Sequence, residues 1–314
     1  MTPAPLRRIQ HAATRKGLEL AISATARLPI RSQKSVARSL VTLAGKIPAL
    51  RRKVRENMNL ALGEGVPAEA ERSYFWNVGW SLSNALTVFH NGLLNTALLQ
   101  EVMFDDTLRI LDEAVAERRG VVLTAPHWTG HELLAACINH RHPMVMLVRH
   151  ASVPEHTARK LKWYAALGVE TVLRPSSTSD INEAMAYLAI LKQRKMLAIT
   201  PDLLTDSRNG VEVSIFGRSA RLHAGAFALA RMARAPMIMA SGHWHSEANR
   251  ALIRFERAPD FNLDDREAAV RAALQHWCRW FEGRLRANPE NWLFWLDRRW
   301  SHFLRSVPRT LESS

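Results

Sequence analysis

Between residues 107 and 260, short apolar runs alternate with longer segments of helical periodicity. The first run, 121–125, lies between a glycine and a proline and is rich in β-branched residues, as is typical of a buried parallel strand. Similar runs at 144–148, 169–173, 196–200 and 237–241 are predicted strands. Helices are predicted between them at 132–139, 157–167, 182–193 and 224–233. The alternation predicts an α/β fold with a mostly parallel sheet flanked by helices.

The segments on either side of this region have a different pattern. An edge strand is expected at 252–256 and a long helix at 266–286, followed by a Trp-rich tail. The first 60 residues have helical periodicity with a break near Pro48, and a long apolar helix is predicted at 69–98. We therefore predict a helical N-terminal region of residues 1–104 and an α/β core of residues 105–314 that includes the C-terminal helix.

The net charge narrows the choice of partners. Hydrophobic residues make up 47% of the chain, which is typical of a globular protein. Lys and Arg number 43 against 29 Asp and Glu, a formal net charge of +14. Such a charge favours an anionic partner, although an Arg-rich soluble protein without one has the same balance. The sequence has no recognised nucleic-acid motif and its basic residues are not spaced with aromatics, so nucleic acid is not expected as a partner.

The pattern of the N-terminal region indicates how the chain could contact a membrane. No segment reaches the roughly 18 apolar residues that cross a bilayer, because Glu19, Arg27 and Pro29 interrupt the best run. Basic residues interleaved with apolar ones are typical of a helix that lies on a membrane surface. A helix packed against its own domain has the same pattern. Cys137 and Cys278 lie outside any CxxC motif and are predicted to be buried free thiols.

One histidine and one acid follow the first predicted strand. His127 lies at the carboxyl end of that strand, where ligands bind in open α/β sheets. Glu132 lies five residues later, on the first turn of a predicted helix, where the helix dipole favours a carboxylate. A carboxylate that accepts a hydrogen bond from one imidazole nitrogen leaves the other nitrogen as a base for a hydroxyl. The spacing alone is also compatible with a structural role.

Several blocks in order resemble the lipid A late acyltransferases, within the glycerolipid acyltransferases that carry a His, four residues and then an acid. The family's His-Leu-Gly-Asn-Trp-Glu is matched by the segment from His127 to Glu132. The other matching blocks are Asn57-Met58-Asn59-Leu60, Leu147-Val148-Arg149, Thr200-Pro201-Asp202, Ser214 to Ala220, Gly225 to Pro236 and Pro289 to Trp295. The resemblance therefore extends over nearly the whole chain.

The chain departs from the family pattern at three places. Leu203 and Leu204 stand where the family often has Gln-Asp after the aspartate, and Tyr164 stands where an Arg is common. Asp297 occupies the place of a His that usually follows the Trp motif. The family's N-terminal transmembrane helix is also not evident. The catalytic pair is intact, so the departures concern the acceptor more than the reaction.

The resemblance implies acyl transfer from a thioester to a hydroxyl of a lipid A precursor or related glycolipid. Acyl carrier protein is the implied donor, with acyl-CoA as an alternative. His127 would be the general base and Glu132 would orient it, while Arg149 and Asp202 would position acceptor or phosphate groups. No metal or organic cofactor is implied. The implied location is the cytoplasmic face of the cell inner membrane.

Other interpretations stay open from the sequence. The acceptor could be a different membrane lipid, such as an aminolipid or a mannosylated lipid. A catalytically inactive peripheral membrane protein of the same fold is a further alternative. His243 and His245 could form a metal pair, but no third ligand is evident and we interpret them as structural. Trp292, Trp295 and Trp300 suit either a bilayer interface or a core.

Overall fold

The structure, a computed structural model, describes residues 29–91, 99–150, 154–174, 181–207, 210–261 and 263–306. The strands in these ranges are β1 (Val102–Phe104), β2 (Val121–Thr124), β3 (Met144–Arg149), β4 (Glu170–Arg174), β5 (Met196–Ile199), β6 (Val211–Ile215), β7 (Arg218–Leu222), β8 (Met237–His245) and β9 (Arg250–Arg257). The α-helices are α1 (Ile30–Ala44), α2 (Pro48–Leu62), α3 (Ala70–Asn91), α4 (Leu108–Ala116), α5 (His131–Arg141), α6 (Pro154–Ala166), α7 (Ile181–Lys192), α8 (Gly225–Ala233), α9 (Arg266–Ala287) and α10 (Arg298–Arg305). Single 3-10 turns lie at Leu99–Glu101, Pro289–Asn291 and Leu293–Leu296.

The main sheet has seven strands in the order β1-β9-β8-β2-β5-β3-β4. All neighbouring pairs are parallel except β8 and β9, which confirms the predicted α/β fold. Strand β2 is buried along its whole length because helices cover both faces of the sheet. Since β2, β5, β3 and β4 are parallel neighbours, their carboxyl ends meet at one edge.

The prediction of an edge strand at 252–256 is wrong. Strand β9 lies between β8 and β1 and pairs with both. The strand outside it, β1, has only three residues, too few for its periodicity to be evident in the sequence. Strand β1 also falls within residues 1–104, which we had predicted to be helical.

A separate antiparallel hairpin, β6–β7, was not predicted. Its turn residues Phe216 and Gly217 have φ values of 53° and 66°. Positive φ at both positions is the geometry of a tight two-residue hairpin turn, and glycine at the second position is its sequence signal. The side chain of Gln275 in α9 covers the outer edge of β6, since it accepts from Ser214 N and donates to Ser214 O, both at 2.8 Å.

The N-terminal helices pack against the α/β core and its tail. The predicted break near Pro48 is confirmed, because α1 ends at Ala44 and α2 begins with this proline. Helix α3 accounts for the predicted helix at 69–98 as far as Asn91, and the predictions for residues 1–28 and 92–98 lie outside the described residues. Within the described ranges, no helix combines the length and the apolar character that crossing a bilayer requires.

The tryptophans of the tail belong to the core. The exposed fractions of Trp292, Trp295 and Trp300 are 0%, 0% and 2%, so core packing, rather than a bilayer interface, accounts for them. The Trp292 ring meets those of Trp295 and Trp300 edge to face, with centroid distances of 4.8 and 4.9 Å. Asn57 of α2 holds this tail through Nδ2, which donates to Trp295 O at 2.7 Å. Cys137 and Cys278 are buried and free, as predicted.

Candidate active site

His127 and Asp202 lie side by side at the carboxyl edge of the sheet. His127 follows β2 and Asp202 follows β5, and the two strands are in parallel register with Thr124 opposite Ile199. The imidazole Nδ1 lies 2.7 Å from Asp202 Oδ1, and the backbone N–H of His127 donates to Asp202 Oδ2 at 2.8 Å. Two hydrogen bonds from one residue to one carboxylate fix both the position of the loop and the orientation of the ring.

The environment of Asp202 keeps it ionised. Its side chain is fully buried, and Trp292 Nε1 donates to Oδ2 at 2.9 Å. Burial acts to raise the pKa of Asp202, but the charge of His127 and the hydrogen bonds from His127 and Trp292 outweigh burial and lower it. The carboxylate at Oδ1 keeps a proton on Nδ1 of the imidazole, so in the neutral ring Nε2 carries the lone pair. The His127 side chain is 20% exposed, which leaves the ring accessible to a substrate.

Glu132 contacts a different histidine. It lies in the first turn of α5, as predicted, and its Oε2 is 3.2 Å from Nδ1 of His131. The carboxylate hydrogen-bonded to His127 is therefore Asp202, where we had expected Glu132. Burial lowers the pKa of His131 although Glu132 opposes this, so His131 is neutral near pH 7. The rings of His131 and His127 meet edge to face, with their centroids 5.2 Å apart. The neutral imidazole of His131 therefore lies between Glu132 and His127.

A glycine allows the turn between β2 and α5. Gly130 has a φ of 77°, a conformation that is costly for residues with a side chain. A Cβ at this position would lie 2.3 Å from a ring carbon of Trp80 in α3. The backbone N–H of Gly130 also donates to Ser81 Oγ at 3.0 Å. Helix α3 of the N-terminal region therefore shapes the loop that carries His127.

The C-terminal tail holds the other side of this loop. Thr129 donates to Asn291 O through its backbone N–H at 2.6 Å and its hydroxyl at 2.8 Å. Leu293 N donates to His127 O at 3.0 Å. Asn291 is in turn bound by Asn77 of α3, whose Nδ2 donates to Asn291 Oδ1 at 2.9 Å. We did not assign Asn77 or Asn291 to the site from the sequence. Asn291 could have been found, because it belongs to the Pro-Glu-Asn-Trp block that resembles the family.

An almost wholly apolar cavity lies beneath the loop. It extends between α5 and the sheet from Pro126 and Thr200 at the carboxyl edge to Ile138 and Met144 at depth. Met144 is opposite Met196, the first residue of β5, so the cavity follows the strands for most of their length. Its volume is about 40 Å³, so a long chain enters only if side chains move. The flexible side chains of Met144 and Met146 line its wall and suit such movement.

Arg149 ends β3 at the same edge as His127 and is exposed. Strand β5 separates β3 from β2, which places Arg149 about 10 Å from the end of β2 at roughly 4.8 Å per strand. Among the described residues, no carboxylate forms an ion pair with it. The four predicted site residues thus lie at one edge of the sheet, with Asp202 bound to His127, Glu132 in contact with His131, and Arg149 two strands away.

A histidine held by a buried carboxylate, at the ligand-binding edge of an α/β sheet and above an apolar cavity, suits an enzyme that activates a hydroxyl against an apolar acyl substrate. The family comparison specifies this class, because residues 18–302 match the family described as bacterial lipid A biosynthesis acyltransferase. The chain belongs to this family and is an acyltransferase of lipid A biosynthesis. No curated protein matches the chain.

Proposed function

We propose that the protein transfers a fatty acyl chain from the thioester of acyl carrier protein to a hydroxyl of a lipid A precursor or related glycolipid. The observation that carries this proposal is the pair formed by His127 and the buried Asp202 above an apolar cavity. The base would activate the hydroxyl, and the cavity would take the acyl chain once flexible side chains such as Met144 and Met146 move. Family membership supplies the lipid A pathway.

The proposed reaction uses Nε2 of His127 as the base. Nε2 takes the proton of the acceptor hydroxyl while the hydroxyl oxygen forms a bond to the thioester carbonyl carbon. The tetrahedral intermediate then breaks its C–S bond, and the leaving sulfur takes the proton from Nε2. Asp202 keeps the imidazole in one tautomer and stabilises its charged form, because its carboxylate faces Nδ1 at 2.7 Å.

Glu132 has a second role in this proposal. Its side chain is 26% exposed and lies at the mouth of the site, in contact with His131 rather than His127. Because part of the carboxylate faces solvent, it can accept a hydrogen bond from the acceptor. This bond would make Glu132 part of the catalytic site without direct contact to the base.

The charge of α6 supports a carrier protein as donor. This helix begins at the carboxyl edge of β3, and its residues Lys160 and Lys162 are exposed. Acyl carrier proteins are acidic, so these lysines suit their docking near His127. Arg141, another basic residue of the segment around β3, lies at the end of α5 next to the amino end of β3 and pairs with Asp112. It is therefore at the opposite edge of the sheet and outside the proposed docking surface.

We also propose that the protein works at the cytoplasmic face of the inner membrane, where its lipid acceptor would be. Near the end of α1, the side chains of Leu40, Leu43 and Ile47 are 55%, 57% and 48% exposed. Apolar side chains of this exposure beside basic residues suit contact with an anionic lipid surface. High salt should then release part of the protein from membranes, because screening weakens that attraction.

Mass spectrometry of a purified reaction tests the proposal. The protein is incubated with an acyl carrier protein thioester and a lipid A precursor, and the product is expected to gain one acyl chain. His127→Ala should abolish the product, and because it also removes a partner of the buried Asp202 carboxylate, circular dichroism must show that the variant folds. Near-normal turnover by folded His127→Ala would refute the mechanism. Acylation of a different membrane lipid instead would refute the proposed acceptor.

A further inference from the structure

We propose that Arg149, Arg174, His223 and Arg299 form a phosphate-binding subsite beside His127, which receives a phosphate group carried by one of the two substrates. The inference deepens the proposed function and rests on it for the identity of the substrates. Arg149 and Arg174 end strands β3 and β4, His223 follows strand β7 of the hairpin, and Arg299 lies in helix α10 of the tail.

The two arginines of the sheet lie side by side. Arg149 and Arg174 are the last residues of β3 and β4 and are opposite each other in parallel register. Paired positions on neighbouring strands are roughly 4.8 Å apart and point to the same face of the sheet. Two like charges in this arrangement repel each other. Among the described residues no carboxylate pairs with either, so an anion from outside the chain would compensate both.

The other two residues, His223 after the hairpin and Arg299 in the tail, lie near each other. One terminal nitrogen of Arg299 donates to Leu204 O at 3.2 Å, and Leu204 forms a β-bridge with Leu222. His223 follows Leu222 directly. Arg299 also approaches the Asp206 carboxylate at 3.5 Å, but Asp206 is 96% exposed and neutralises little of its charge.

His223 links the two pairs of residues, because the charges of Arg174, Arg149 and Arg299 all act on its imidazole. Burial and then the charges of Arg174, Arg149 and Arg299 lower the pKa of His223 to about 4. The imidazole is therefore neutral near pH 7, and its buried Nε2 has no hydrogen-bond partner among the described residues. A buried ring nitrogen without a partner is costly, and an anion held by the arginines would accept its hydrogen bond.

A phosphate fits this arrangement better than a carboxylate. Three guanidinium groups offer forked donors that match phosphate oxygens, and a phosphate carries enough charge to compensate more than one of them. The strand order places the ends of β3 and β4 about 10 and about 14 Å from the end of β2, at roughly 4.8 Å per strand. The phosphate must therefore lie at that distance from the reacting atoms. The phosphopantetheine phosphate of the donor and a sugar phosphate of the acceptor both meet this requirement.

Kinetics with matched substrates test the subsite and identify its source. Arg174→Gln and Arg149→Gln are compared with Arg271→Gln, an exposed arginine of α9. The KM for one substrate should rise about tenfold or more, with a smaller change in kcat, since each lost charged hydrogen bond is worth roughly a factor of ten. An effect that disappears with an acyl-pantetheine donor assigns the phosphate to the donor. An effect that disappears with a dephosphorylated acceptor assigns it to the acceptor.

Binding of inorganic pyrophosphate gives a readout that does not depend on activity. Calorimetry should show binding to the wild type and to Arg271→Gln, and binding at least about tenfold weaker to Arg174→Gln. His223→Gln should weaken binding less, because it removes one neutral donor. Failure of the wild type to bind, or equal binding by all variants, would overturn the subsite. The wild type could bind pyrophosphate, with weaker binding by the arginine variants, and yet show no acyltransferase activity. That result would support the subsite and refute the proposed function.

Discussion

The substitution Asp202→Asn separates catalysis from folding at the proposed base. In the wild type, Oδ2 accepts from His127 N and Trp292 Nε1, while Oδ1 faces Nδ1 of His127. An asparagine has one oxygen and one NH₂ group for these three contacts. Its side chain must therefore choose which group faces the imidazole.

The cost of each orientation can be compared. If the asparagine oxygen faces Nδ1, the NH₂ group faces two buried N–H donors, from His127 and Trp292, which lose their acceptor. Each such donor costs roughly 1–3 kcal/mol, so this orientation costs about 2–6 kcal/mol. If the NH₂ group faces Nδ1, the oxygen still accepts from both donors and every group is paired. The imidazole then carries its proton on Nε2.

The second orientation should therefore prevail, and its proton on Nε2 removes the base. We expect Asp202→Asn to fold with nearly wild-type stability and to lose roughly 10⁴-fold in kcat, the size of effect that a wrong imidazole tautomer causes in other enzymes. Mass-spectrometric product formation measures kcat, thermal unfolding measures stability, and nitrogen-15 chemical shifts of the His127 ring report the tautomer. Asp264→Asn, at an exposed position, is the control. A folded Asp202→Asn protein with kcat within tenfold of the control would refute the reasoning.

Three further predictions concern other residues of the site and its surroundings. Glu132→Ala should lower kcat by a factor within roughly 10²–10⁴, the range of acid–base catalysis; an unchanged kcat would limit Glu132 to a structural role. The double change Lys160→Glu with Lys162→Glu should raise the KM for acyl carrier protein with little change in kcat, as added salt should in the wild type, whereas equal KM values would exclude docking on α6. His223 has a folded-state pKa of about 4, below its usual value near 6.5, so the unfolded chain binds more protons between these pH values and stability should fall as pH drops from 6.5 to 4. Denaturant unfolding across this range should show a shallower pH dependence for His223→Gln, and an identical dependence would contradict the lowered pKa.

Local patterns in the sequence were sufficient for strands β2, β3, β4, β5 and β8 of the sheet and for the position of His127. The run Val121–Thr124 is buried on both faces, so its residues are apolar without alternation and the strand is evident. Because His127 follows that strand directly, its place at the ligand-binding edge follows as well. The hairpin β6–β7 was missed although its Phe-Gly turn is a local signal. Strand β1 was missed because three residues carry no period.

The partner of His127 was decided by tertiary structure. Glu132 is close to His127 in sequence, but Gly130 turns the chain and α5 directs the glutamate toward His131. Asp202 is 75 residues from His127 and reaches it because β2 and β5 are neighbours in the sheet. The sequence by itself determined which groups are available at each strand end. The strand order, which depends on long-range pairing and not on local periodicity, determined which of them meet.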